Sequence, residues 1–228
     1  MVDLKEFEQK AADLRVLGMK ISIGQDTVYE KYWDEDCRRN IYSASKSFTS
    51  CAVGFAVQEG LIDLDERLMD AFKEDIPNNP DENLKKATVK DLLTMTLGQE
   101  KGFLMGKQRP RMEEQNWVKA SLAIPFVYEP GTHFVYNNVG PYLAGILVQR
   151  RAGCDLLSYL TPRLLKPLGI RKTIWEVDPE GNTFGAGGLF LTVSELHKLG
   201  MFYLQNGCWN GKKLLSKEWI HESTRKQV

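Results

Sequence analysis

Tyr42-Ser43-Ala44-Ser45-Lys46-Ser47-Phe48-Thr49-Ser50 leads into an apolar run that ends at Gly60. Cys51, Ala52, Val53, Gly54, Phe55, Ala56 and Val57 are small or apolar on every face, as in a helix buried through the middle of a domain. Ser43 and Lys46 are three residues apart, which on a helix is one turn on one face. A serine in a first turn sits at the positive end of the helix dipole, where a developing alkoxide is favoured. A lysine beside it, partly desolvated, is pushed toward the neutral form that accepts a proton. A serine with an adjacent amine is an activated nucleophile. The spacing alone is weak: Ser-x-x-Lys arises by chance about once in a chain of this size. Ser223-Thr224-Arg225-Lys226 has it too, in a polar tail.

Upstream of this stretch, Asp3 and Glu6 form a capping box, and Leu4, Phe7, Ala11, Leu14 and Leu17 recur at helical spacing up to a stop at Gly18. Residues 19–23 and 27–33 are strands around Gly24-Gln25-Asp26, a hairpin. The charged run 34–39 is a solvated loop. Downstream, Thr88-Val89-Lys90-Asp91 starts a helix, 98–110 is a Gly-rich, charged and mobile surface loop, and 112–123 is helical in pattern. Helices are expected at 141–151, 156–165, 192–205 and 217–223, with a Thr192/Glu195 box on the third. Residues 185–188 form a tight turn.

Thirty basic residues balance thirty acidic ones, so nothing points to nucleic acid or an anionic membrane surface. Cys37, Cys51, Cys154 and Cys208 are far apart and contain no Cys-x-x-Cys pair, which argues against a disulfide framework or zinc site. His133, His197 and His221 do not cluster at ligand spacing, and no metal or cofactor is expected. No segment has the length of a membrane helix. The charged N-terminus lacks the apolar core of a signal peptide, so a cytoplasmic protein is expected as the chain stands, and an extracytoplasmic one if a signal has been removed.

Two further segments join the opening stretch. Tyr136-Asn137-Asn138 follows Glu129-Pro130-Gly131, and Gly187-Gly188-Leu189 precedes the 192–205 helix. Taken alone, Tyr136 is a half-buried packing residue, Asn138 a helix cap and the glycines a turn. Taken in order they are more specific. With Ser43-Ala44-Ser45-Lys46-Ser47-Phe48-Thr49, Glu59-Gly60-Leu61-Ile62-Asp63-Leu64-Asp65 and Thr88-Val89-Lys90-Asp91-Leu92-Leu93-Thr94, they resemble the serine β-lactamase and penicillin-binding-protein superfamily. The similarity is greatest to its class C-like branch, which includes carboxypeptidases, esterases and amide hydrolases, and runs from about residue 19 to the C-terminus.

The resemblance implies an α+β, β-lactamase/transpeptidase-like fold: an antiparallel sheet packed with helices, plus a mostly helical lobe. Residues 1–60 would form the helix, hairpin and nucleophile helix of the α/β lobe. Residues 61–228 would form the helical lobe carrying Tyr-x-Asn, the two making one catalytic unit. It implies that Ser43 is the acylated nucleophile, that Lys46 orients it and takes part in proton transfer, that Tyr136 is the general base, and that Asn138 holds Lys46 and contacts the substrate amide. The Ser43 backbone N–H would be one oxyanion donor. Between Lys46 and Tyr136 the choice of acylation base stays open.

This sequence departs from the family at its third motif, Lys/His-Thr/Ser-Gly on an edge strand. Lys198-Leu199-Gly200 matches only the outer letters and lies in a helical segment. The expectation is therefore a sheet incomplete in this chain, lacking the C-terminal part, with a second copy or a further C-terminal segment completing it. The expected activity is hydrolysis of a small-molecule or peptide-like ester or amide through an acyl-serine. The alternative is a non-catalytic scaffold, a binding or structural module. An α/β-hydrolase would need Gly-x-Ser-x-Gly on an elbow, and no such pentapeptide occurs.

Overall fold

A computed structural model describes residues 4–11 and 13–228. The chain runs α1 (Lys5–Ala11), β1 (Gly18–Ile23), β2 (Asp26–Tyr32), β3 (Arg39–Asn40), α2 (Ser45–Gln58), α3 (Leu68–Ala71), α4 (Glu82–Lys86), α5 (Val89–Thr94), α6 (Trp117–Leu122), α7 (Val139–Ala152), α8 (Leu156–Leu160), β4 (Phe190–Leu191), α9 (Val193–Leu204), β5 (Cys208–Trp209), β6 (Lys212–Lys213) and α10 (Lys217–Thr224). The strands pair antiparallel as β1–β2, β3–β4 and β5–β6.

The core is the contact of α2 with α7. In α2, Phe48, Cys51, Ala52, Val53 and Ala56 are fully buried. In α7, every residue from Val139 to Gln149 is buried. Helices apolar on all sides can be covered only by others, and α5 and α8 also pack on α7. Gly140 makes the α5 contact possible. A Cβ there would stand 2.2 Å from the carbonyl oxygen of Leu92.

β1 and β2 pair from Gly18 opposite Tyr32 to Ile23 opposite Asp26, so Gly24 and Gln25 are the turn, with an irregularity at Ile21/Ser22. Ser22 Oγ meets His197 Nε2 at 3.0 Å, which sets the hairpin on α9. In β3–β4, Asn40 faces Phe190, and the Ile41 N–H donates to Leu189 O at 2.9 Å. This short pair ties the residues before Ser43 to those after Gly188.

Several expectations shift. The first helix ends at Ala11 and Gly18 opens a strand, so Leu14 and Leu17 lie outside the helix; the Asp3 cap falls outside the described residues. The 112–123 helix is cut to Trp117–Leu122 because Asn116 Oδ1 accepts the Lys119 N–H at 2.8 Å and caps it there. The 156–165 helix widens into a π turn at Thr161–Leu165, where Pro162 has no N–H to give. The 34–39 run is not merely solvated: Asp36 Oδ1 accepts the Val193 N–H, and Arg38 grips Glu195 with Nη2–Oε1 at 2.6 Å. The 98–110 loop is anchored, with Leu104 fully buried and Gln99 Nε2 donating to Ser121 O at 2.9 Å. The boxes at Thr88/Asp91 and Thr192/Glu195 are both present.

Candidate active site

Ser43 lies in a 3-10 turn, Tyr42–Ala44, that runs directly into α2. It is exposed, at the positive end of a 14-residue helix. The preceding Tyr42 takes a left-handed φ of 47°, a conformation that costs a non-glycine residue on the order of 1 kcal/mol or more. Three bonds hold it there. The Tyr42 N–H donates to Asn40 Oδ1 at 2.7 Å, the Tyr42 carbonyl accepts from Ser45 Oγ at 2.6 Å, and Ser45 Oγ accepts the Leu189 N–H at 3.1 Å.

Lys46, one turn into α2, points its amine at Ser43. Nζ donates to Ser43 Oγ at 3.0 Å, Asn138 Oδ1 at 2.8 Å and the Ala186 carbonyl at 2.6 Å. It also lies 5.2 Å from the centre of the Tyr136 ring. The Tyr136 hydroxyl donates to Ser43 Oγ at 2.7 Å. The four residues expected at the site therefore meet, from segments 93 and 92 positions apart in sequence.

Asn138 stands at the N-cap of α7, yet its side chain does not cap the helix. Its oxygen faces Lys46 and its Nδ2 donates to Leu104 O at 2.9 Å. Asn137 takes the capping task, its Oδ1 accepting the Gly140 N–H at 3.1 Å. With two donors and one carbonyl per amide, the Leu104 contact fixes which end of Asn138 meets the amine.

Burial pushes the Lys46 ammonium below its ordinary value. The Tyr136 hydroxyl opposes that shift and the charge of Arg109 adds to it. The Lys46 stem lines a cavity of about 120 Å³ with Leu93, Met95, Pro141 and Trp219. For Tyr136 burial acts upward, but the hydrogen bonds with Ser43 and Lys46 together with the Lys46 charge outweigh it, and the phenol falls below its ordinary value. Both shifts favour losing one proton from the pair near Ser43.

The chance match lines the same cavity as Lys46, but the Ser223 hydroxyl donates to Ile220 O within α10 and not to Ser43. Lys198 reaches Gly169 O from α9, not Ser43. Sequence reasoning missed Ser45, the carbonyls of Leu104 and Ala186, and Arg109. Backbone acceptors leave no side-chain signature, but a second serine inside Ser43-Ala44-Ser45-Lys46, buried among apolar neighbours, was a visible signal. Among the described residues no three His, Cys, Asp or Glu side chains gather as metal ligands, and no helix is long and apolar enough to cross a membrane.

A protein-family model described as beta-lactamase matches residues 5–227. The monacolin J acid methylbutanoyltransferase of Aspergillus terreus is 31% identical over 60% of this chain and 37% of its own length. The lovastatin esterase of Penicillium rubens is 31% identical over 56% of this chain and 37% of its own. The chain thus spans little more than a third of the length of these curated relatives. An octameric penicillin-binding protein homologue from Pyrococcus abyssi superposes on 100% of this chain and 61% of its own, with a TM-score of 0.76 at 23% identity. The fold is β-lactamase/transpeptidase-like, with mixed α and β elements.

Proposed function

The chain belongs to the beta-lactamase family, and on that premise we propose that it is a serine hydrolase acting on a small ester or amide through an acyl-Ser43 intermediate. One observation carries the proposal: Ser43 Oγ is contacted at once by Lys46 Nζ at 3.0 Å and Tyr136 OH at 2.7 Å. Ser43 Oγ attacks the substrate carbonyl carbon and its proton passes to the Lys46–Tyr136 pair. The tetrahedral intermediate collapses, the bond to the leaving group breaks, and the pair returns the proton to that group. Water then repeats the steps on the acyl-serine and frees the acid. Asn138 holds the amine and contacts the substrate amide. The Ser43 N–H is one oxyanion donor.

The relatives include a transferase and an esterase by name. An acyl-serine serves either outcome, according to whether water or an alcohol takes the acyl group. The octameric relative supports self-association of this chain as well, which sedimentation would read directly.

The test is mass spectrometry after exposure to a fluorophosphonate and, separately, to a penicillin, with turnover of a chromogenic ester. An adduct on Ser43 and turnover lost in Ser43→Ala support the proposal. If neither probe labels Ser43, the chain is a non-catalytic scaffold.

A further inference from the structure

Glu176 lies outside every motif of the site and touches three of its walls. Its Oε1 accepts from Asn40 Nδ2 at 3.1 Å and its Oε2 from Arg109 Nη1 at 3.1 Å. Its N–H donates to the Gly188 carbonyl at 2.9 Å, and its side chain lies across Gly188. A Cβ on Gly188 would come within 2.5 Å of the Glu176 Cβ, and Gly188 has a φ of 82°. This gives Gly188 a purpose, to let a carboxylate pass over the backbone between Lys46's acceptor, Ala186 O, and β4.

Two paths leave this carboxylate. Through Asn40 it reaches the nucleophile turn. With Nδ2 committed to Glu176, the Asn40 oxygen is turned to the N–H of Tyr42, the left-handed residue next to Ser43. Through Arg109 it reaches the 98–111 loop. The guanidinium is clasped between Glu176 and the Phe184 ring, 4.3 Å from its centre. The same loop offers Leu104 O to Asn138 Nδ2 and Phe103 O to the Asn138 N–H at 3.2 Å.

We propose that Glu176 is a positioning residue for the reaction: through Asn40 it aims Ser43, and through Arg109 it fixes the loop that orients Asn138. This rests on Ser43 being the nucleophile. A carboxylate can accept from both donors at once, whereas glutamine must turn an NH2 toward one of them. Glu176→Gln therefore keeps the volume and breaks one of the two paths. Misplacement of a reacting group by about 1 Å can lower a rate about a hundredfold.

The experiment measures acylation of Ser43 by a small fluorophosphonate, and kcat and KM for a chromogenic ester, in the parent, Glu176→Gln, Asn40→Ala and the double variant. Melting temperature is followed alongside, and Glu195→Gln, whose carboxylate bonds Arg38 and Thr192 and none of the four site residues, is the stability control. Glu176→Gln is expected to lower the acylation rate and kcat by about ten- to a hundredfold with KM within twofold. A guanidinium offers only donors, so the glutamine NH2 is turned to Asn40, and the double variant is expected to be no slower than the worse single one because both changes break the Asn40 path. If Glu176→Gln does not fold, Asn40→Ala alone carries the test. Rates within twofold of the parent, or a loss matched by an equally destabilised Glu195→Gln, overturn the positioning role alone. Failure of the parent to be acylated at Ser43 overturns it together with the hydrolase proposal.

Discussion

The buried hydroxyl of Ser45 donates to the carbonyl of Tyr42 at 2.6 Å, closing the turn that lifts Ser43 out of the helix. Ser45 also accepts the Leu189 N–H at 3.1 Å, so one side chain joins the nucleophile turn to the segment after Gly188. Replacing it with alanine strands a buried N–H, which costs about 1–3 kcal/mol. Ser45→Ala is expected to lower the unfolding free energy read from urea titration by that amount and to slow labelling of Ser43. The neighbouring and exposed Ser47→Ala is expected to stay within about 0.5 kcal/mol of the parent.

The Lys46–Tyr136 pair predicts the pH profile of acylation. The pair must lose one proton to receive the one from Ser43, so the rate rises as pH climbs through its apparent value. Both groups sit below their ordinary values of 10.5 and 10.0. The rising limb of labelling rate against pH should therefore lie below 10.0. Tyr136→Phe is expected to lose about two to four orders of magnitude in rate, read by the same labelling.

Gly140→Ala should reverse the usual rule for helices. In an exposed helix interior the change gains about 1 kcal/mol. Here the new methyl would stand 2.2 Å from the Leu92 carbonyl, which is backbone and has no rotamer to yield. Separating α5 from α7 is expected to cost about 1–3 kcal/mol, seen as a lower denaturation midpoint.

Arg38 and Glu195 predict an acid-sensitive contribution. Burial raises the Glu195 carboxyl, but the Arg38 guanidinium and the Thr192 N–H outweigh it, so it titrates below its ordinary 4.5. A depressed carboxyl contributes stability above its unfolded value and loses it as pH falls through the folded one. Glu195→Gln is expected to cost about 1–3 kcal/mol at neutral pH, with the gap to the parent closing below about pH 4. Urea titrations at several pH values would show a constant gap if the pair were idle.

How far the sequence could be read depended on what each residue bonds to. Ser43, Lys46, Tyr136 and Asn138 were visible because their side chains form an ordered motif, and the structure brings them together. The hairpin at Gly24 and the boxes at Thr88 and Thr192 were visible because local chemistry settles them. Arg38 was hidden in a charged run, since its partner Glu195 is 157 positions away. Leu104 was hidden in a Gly-rich, charged loop whose composition suggests solvent, although its carbonyl orients Asn138. The short helix at Trp117 was overextended because helical periodicity carries no sign of Asn116 closing it early.

The Lys46 amine has three protons when charged, and each is directed at a different segment: Ser43 beside α2, Asn138 at the head of α7, and Ala186 in the turn before β4. A neutral amine has only two to offer. Its lone pair can keep the third contact only by accepting the Ser43 hydroxyl, so each time Lys46 gives up its charge the strut to Ser43 reverses direction, and the state of a single nitrogen decides which way the nucleophile's proton points.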